Sequence, residues 1–443
     1  MNKENEMKIY PLNNVLPLFS NDTQTFTELG IKVNPSLEGL TATQALLTEK
    51  TASGHKKLLS LEFNWLPSAV VEAYNSAKTP AEKKCVLIEK VWGNCKLNCL
   101  ECYAKQEDLF KGHDLIHPDR ILDLIEEAVM KLGTKVVKYL GPSEFFRDNP
   151  VDIFRYLDRF QKMGVTLGVF VKDPMFGDDE EVEKIFGSYG LHTAEELVTK
   201  LASYGNLRIL YNFRTFDNEL TNKLVKGGYT GKEDFIGDYQ EFQHRGLRLF
   251  YRHFAEAEFV KGKESRLVII NAPIIPETIG EAFEIYEYFV ERGVPVCSTT
   301  SMTSGCGGGA YNGLDTEFID SFTAYYALAN EYSLRRGIIS AEYLESFGPS
   351  PYAGINHCMQ LCNGLLIRET GQLLRCPGAD NEDWRDAITP AELLHNGLVW
   401  AWSQTKNHQE RSGVNLGCLA KPKIFNEKFN SQVIELVTAC RRR

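Results

Sequence analysis

The sequence predicts an α/β protein built on a parallel sheet with crossover helices. Two observations lead there. From about residue 84 to residue 300, short apolar runs of strand length alternate with amphipathic stretches of helical period. Composition is that of a globular chain: 43% of the 443 residues are hydrophobic and 24% are charged. That length suits roughly three domains and buries a core without needing a metal to hold it. Six or so strand–helix repeats fit an open or partial barrel better than a closed one of eight. Ligands in such folds sit at the carboxyl ends of the strands.

Each element has its own signal. Residues 1–83 carry no strong motif; Pro67 and Ser68 could open a short helix over 68–74. We read 1–83 as an N-terminal extension packed on the main domain. The strand-like runs are 85–91, 135–140, 165–172, 207–213, 247–253, 267–272 and 294–300. Helical stretches lie near 118–132, 150–163, 193–204, 231–244 and 277–292. Pro118 and Asp119 make a helix start, and Gly293 closes the last helix. A glycine-rich loop, 301–309, and a helical stretch near 315–336 follow, before Gly348-Pro349-Ser350-Pro351 breaks the chain. The expected organisation is an extension 1–83, a (β/α) domain 84–313, a helical connector 314–356 and a small cysteine-bearing module 357–443.

Charge and cysteine content narrow the function. A net charge of −10 speaks against general binding to nucleic acid or anionic membrane. The basic run Arg441-Arg442-Arg443 is most simply a solvated tail. No apolar run approaches the roughly 20 residues of a membrane-spanning helix. The charged start, Met1 to Glu6, has no signal core behind it, so a cytoplasmic address is expected. Eleven cysteines is an odd count, and seven fall into two groups. In a reducing compartment such grouping points to metal, cluster or catalysis rather than disulfides.

The first group is Cys95, Cys99 and Cys102, spaced C-x3-C-x2-C after the run 85–91. Three thiolates on one loop can converge on three irons of a cubane cluster, whose usual complement is four. One iron is then left open, the mark of a catalytic site. A zinc knuckle or a redox C-x2-C pair is the competing reading. Zinc wants a fourth ligand close by, and the nearest histidine, His113, is eleven residues on.

This loop resembles the signature of the radical S-adenosylmethionine (SAM) superfamily, and the alternating pattern resembles that superfamily's partial (β/α)6 barrel. The resemblance implies that Cys95, Cys99 and Cys102 bind a [4Fe–4S] cluster whose fourth iron takes the amino and carboxylate groups of SAM. It implies reductive cleavage of SAM to methionine and a 5′-deoxyadenosyl radical, fed by a donor such as flavodoxin or ferredoxin. The family often places an aromatic before the third cysteine, near the adenine. Here Glu101 holds that place and Tyr103 follows, so Tyr103 is the aromatic candidate. The run 135–140 leads into Gly141-Pro142-Ser143-Glu144, where family members carry a Gly-Gly-Glu-Pro-like segment that holds the SAM amino group. Ser143 and Glu144 are the candidates here, since a carboxylate pairs with an ammonium. Asn212 and Arg252, at the ends of the runs 207–213 and 247–253, are candidates for the SAM carboxylate or ribose.

The second group is Cys358, Cys362, Cys376 and Cys418. Apolar runs flank Glu369-Thr370-Gly371-Gln372, a hairpin signal that returns Cys376 toward Cys358 and Cys362. Thr389-Pro390-Ala391-Glu392 reads as a helix start, with the helix running to about Trp402. The C-x12-G-x4-C spacing from Cys358 through Gly371 to Cys376 resembles the auxiliary-cluster module of radical SAM enzymes, called SPASM in its long form and twitch in its short form. The later multi-cysteine run of the long form is missing, so one auxiliary iron–sulfur cluster is implied. Either all four cysteines ligate it, or one of Cys358 and Cys362 stands aside and leaves an iron open. A structural zinc site of four thiolates fits the same spacing.

Of the other four cysteines, Cys85 and Cys297 read as small core residues in apolar runs, and Cys440 carries no signal. Cys306, in the glycine-rich loop, could return a hydrogen atom to a substrate radical or be an inert loop residue. The resemblance implies hydrogen abstraction followed by oxidation or cross-linking of a peptide substrate. The alternative is a dehydrogenase, epimerase or mutase acting on a sugar or other small molecule. A non-catalytic zinc-binding structural protein is the reading from another class.

Overall fold

The structure is a computed structural model and describes residues 50–92, 97, 99, 113–141, 144–226, 239–301, 316–340, 364–376, 388–405 and 436–437. Cys95, Cys102, Tyr103, Ser143, Cys306, Cys358, Cys362 and Cys418 lie outside the described residues. The fold is α/β. Eight strands make one sheet in the order β6-β5-β4-β3-β2-β1-β7-β8. They are β1 (Ser60–Phe63), β2 (Val136–Tyr139), β3 (Thr166–Val171), β4 (Leu207–Asn212), β5 (Leu267–Ile274), β6 (Val296–Thr300), β7 (Gly364–Ile367) and β8 (Leu373–Leu374). Strands β1 to β6 pair in chain order and all parallel, β7 joins β1 in parallel, and β8 runs antiparallel to β7.

That order determines where the helices go. Each crossover steps one place in the same direction, and right-handed crossovers then put every helix on one face. The helices used below are α1 (Ser68–Ser76), α2 (Pro80–Leu87), α3 (Pro118–Leu132), α4 (Ile153–Met163), α5 (Ala194–Ala202), α6 (Tyr239–Tyr251), α7 (Ala282–Val290), α8 (Thr316–Arg335) and α9 (Pro390–Gln404). Residues of α3 to α7 and α9 share a single apolar core with alternate residues of the strands. Phe63, Tyr139, Val169 and Ile209 stand in register on that face. The intervening row, Glu62, Lys138, Gly168 and Arg208, faces the other way. The period of two along each strand thus separates an apolar, helix-covered face from a polar one.

Most expected elements are present. Helix α3 starts at Pro118 as the sequence predicts, with His117 Nδ1 accepting the Asp119 N–H at 3.3 Å. Helix α9 starts at Pro390 behind a capping box between Thr389 and Glu392. The hairpin over 364–374 forms, its turn closed by Arg368 N–H donating to the Gln372 carbonyl at 2.9 Å.

Two expected strands are helical instead. Residues 85–91 belong to α2 and the π-helical turn Ile88–Trp92 that continues it. The run Cys85-Val86-Leu87-Ile88 is too short to show its period, and the start signal upstream decides. Thr79 Oγ1 accepts the Glu82 N–H at 3.2 Å, Glu82 accepts the Thr79 N–H at 3.0 Å, and Pro80 takes the first turn. Cys85 is exposed on this helix and is not a core residue. Residues 247–253 span the end of α6 and the start of a π-helical turn, Arg252–Glu256. Leu247, Leu249, Phe250 and Tyr251 are the buried end of a helix, packed into the core. The first strand is instead β1, inside the 1–83 stretch, and it lies between β2 and β7 in the sheet interior.

Candidate functional site

The carboxyl ends of β2 and β3 gather the residues of interest. β2 ends at Tyr139, and the ring of Tyr139 lies so close to Gly141 that a Cβ there would be 2.0 Å from it. Only glycine fits, and Glu144 stands at the N-cap position of the short helix Phe145–Asp148 without a capping side-chain bond. The half-buried Glu144 carboxyl lies near the backbone N–H of Lys172, the residue just past β3. Burial pushes this carboxyl well above 4.5; Asp173 and Asp148 push the same way, and the Arg147 guanidinium opposes them.

Arg147 is committed elsewhere. Its Nε and Nη2 donate to the two oxygens of Asp173 at 2.5 and 2.6 Å, and its Nη1 donates to Glu181 at 2.6 Å. Burial works against its charge, but the two carboxylates outweigh burial and hold it protonated. The set holds four carboxyl groups, from Glu144, Asp148, Asp173 and Glu181, around one guanidinium. A ligand ammonium at Glu144 would therefore meet a matching charge.

Lys172 links this corner to the first cysteine group. Its Nζ donates to Cys99 Sγ at 3.2 Å. Tyr239, the first residue of α6, donates from its hydroxyl to the Lys172 carbonyl at 3.0 Å. Tyr239 is buried, and burial, with Tyr211, Cys99, Glu144 and Asp173 nearby, raises its hydroxyl well above 10, so it remains a donor. Cys99 is half-buried against Leu97, Val225 and Tyr239. Cysteine sulfur is the ligand that iron–sulfur centres use, and hydrogen bonds to it are among the contacts that tune them. The donor chemistry at Cys99 therefore fits an iron–sulfur ligand. Among the described residues no group of three or more His, Cys, Asp or Glu side chains is arranged to hold a metal ion; two of the three cysteines of this group lie outside them.

The other expected contacts divide. Asn212 ends β4 as expected, but its Nδ2 donates to the carbonyls of Ile270 at 3.3 Å and Ala272 at 2.8 Å, holding the irregular end of β5. Arg252 is not at a strand end. It pairs with Glu195 at 2.7 Å, on an exposed surface of the helical layer, because 247–253 is helical. Cys376 follows β8, half-buried. Lys172, Asp173, Arg147 and Tyr239 were missed from the sequence. The rule applied to β2 and β4, polar residues just past a strand, finds Lys172 and Asp173 once it is applied to β3.

No known protein-family model matches the chain, and no curated protein matches it either. No helix among the described residues is long and apolar enough to cross a membrane.

Proposed function

We propose that the chain is a radical SAM enzyme on a partial (β/α)6 barrel with one auxiliary iron–sulfur cluster. One observation carries this reading: the Lys172 ammonium donates to Cys99 at 3.2 Å, and the Glu144 carboxyl lies near the Lys172 backbone N–H. A cysteine of the C-x3-C-x2-C motif and the acidic end of β2 thus belong to one site, at the carboxyl ends of six parallel strands in chain order. No strand immediately precedes the motif, as β1 is followed first by α1 and α2, but the motif still falls between β1 and the crossover helix α3.

When bound, a reduced [4Fe–4S] centre with SAM on its open iron supplies a 5′-deoxyadenosyl radical that takes a hydrogen atom from substrate. The chain's own residues bind and orient. Cys95, Cys99 and Cys102 are the proposed ligands. Glu144, anionic once a ligand ammonium is against it, holds the SAM amino group, with Ser143 beside it in sequence and Tyr103 toward the adenine. Tyr239 holds the Lys172 carbonyl. Cys358, Cys362, Cys376 and Cys418 are the proposed ligands of the auxiliary cluster, which suits a net oxidation by accepting the electron left on substrate. We propose a peptide substrate, oxidised or cross-linked.

The test is anaerobic reconstitution of the full chain, iron and sulfide analysis, and an assay for 5′-deoxyadenosine from SAM with a strong reductant. About eight irons per chain with matching sulfide, and deoxyadenosine formed, are expected for two four-iron clusters. Cys99→Ala should abolish cleavage. Zinc without sulfide, and no cleavage, would make both cysteine groups structural and end this reading.

A further inference from the structure

We propose that Lys172 is a positioning residue that sets the reduction potential of the centre held by Cys95, Cys99 and Cys102, acting through the Cys99 sulfur. The inference rests on the cluster reading above. Lys172 directly follows Val171, which still pairs with Tyr211 of β4. Its carbonyl is held by the Tyr239 hydroxyl at 3.0 Å. The side chain therefore leaves from a fixed point, and its ammonium reaches Cys99 Sγ at 3.2 Å. Leu97, Val225 and Tyr239 pack against Cys99, so water screens the charge less than it would at the open surface.

A cluster gains one negative charge on reduction. Hydrogen bonds to its sulfurs and nearby charge set its potential. A fixed cation donating to one ligand sulfur favours the electron-rich state and raises the potential. Lysine at this point makes the centre easier for a cellular donor to reduce. Arginine preserves the charge and a donor. Glutamine preserves only a donor, and methionine preserves neither.

The full chain and its Lys172→Met, Lys172→Gln and Lys172→Arg variants are reconstituted anaerobically and assayed for iron and sulfide. They are then titrated potentiometrically, following the electron paramagnetic resonance signal that changes when SAM is added. At a fixed potential Lys172→Met should hold roughly tenfold less reduced centre, a midpoint about 59 mV lower for a one-electron couple. Lys172→Gln should shift the same way by less, and Lys172→Arg should titrate with the unsubstituted chain. If the methionine chain takes up no iron, the glutamine and arginine chains decide by the same comparison. Neutral variants that load iron, respond to SAM and keep the parent midpoint overturn the role of Lys172 alone. An unsubstituted chain without iron and sulfide, or without any SAM-responsive signal, overturns the cluster reading and this inference with it.

Discussion

The carboxyl group of Glu144 lies near the backbone N–H of Lys172, so the end of β2 meets the end of β3 at an acid that burial would rather keep neutral. Its folded value lies well above 4.5. Between 4.5 and that value the unfolded chain loses the proton first, so the stability this group allows is whole at low pH and is lost as pH rises through the folded value. Glu144→Gln removes the strain and keeps an acceptor for the Lys172 N–H. The variant should unfold at higher urea concentration than the parent at about pH 8, with the gap closing below about pH 4. A gap of the same size at both ends would show that the carboxyl is not strained in the folded chain.

Arg147 should be the costliest single truncation near the site. Removing the guanidinium takes the cation away from Asp173, whose side chain is 1% exposed, while Glu181 keeps Lys184 at 3.9 Å. Breaking a buried pair from one side costs about 3–5 kcal/mol. Arg147→Met should lose that much in urea unfolding. Arg147→Lys, which supplies a point charge but no fork, should lose part of it. A loss below about 1 kcal/mol in Arg147→Met would mean that the clamp contributes little beyond solvated surface pairs.

His244 gives the chain an acid-side dependence of opposite sign. It is buried on α6, with its ring 6.3 Å from that of Phe213. Burial, then Arg248, lowers its value from 6.5 to about 4. The folded ring is neutral, so its stability is whole above pH 6.5 and is lost as pH falls toward 4. His244→Leu should gain on the parent by roughly 3 kcal/mol between about pH 7 and pH 4. Parallel stability curves for the two chains would remove His244 as the source.

The α/β class was legible because strands and helices differ in period wherever the pattern is long enough. Helix α3 is an example: seven of its fifteen residues are buried on one face, and a proline opens it. The pattern failed where an apolar run was short. At 85–91 a capping box three residues upstream outweighed four apolar residues. At 247–253 a helix end buried against the sheet read as a strand. β1 escaped because Ser60-Leu61-Glu62-Phe63 is only four residues long and lies in a stretch without other motifs. The partners of Lys172 are seventy-three and sixty-seven residues away in sequence. Such contacts follow from strand order, which no local pattern encodes.

Strand order also separates Cys376 from Cys99. β7 runs parallel to β1, and β8 returns antiparallel to β7. The hairpin turn therefore lies toward the carboxyl ends of the strands. There the Glu369 carbonyl accepts the Ile116 N–H at 2.7 Å. Cys376, past Leu374, is carried down toward the amino ends, away from Lys172 and Cys99. Carried outward, the register that pairs Leu366 with Leu374 sets Cys376 opposite Gly364, two residues after Cys362. An auxiliary cluster built on Cys376 would then stand apart from the SAM site and serve it by electron transfer. Cys376→Ala should accordingly strip roughly half the iron from the reconstituted chain and leave reductive SAM cleavage in place. Iron analysis and deoxyadenosine formation on the same sample decide it. Unchanged iron would remove Cys376 from any cluster. Loss of SAM cleavage with half the iron retained would mean that the two centres depend on each other more closely than the opposite ends of one sheet allow.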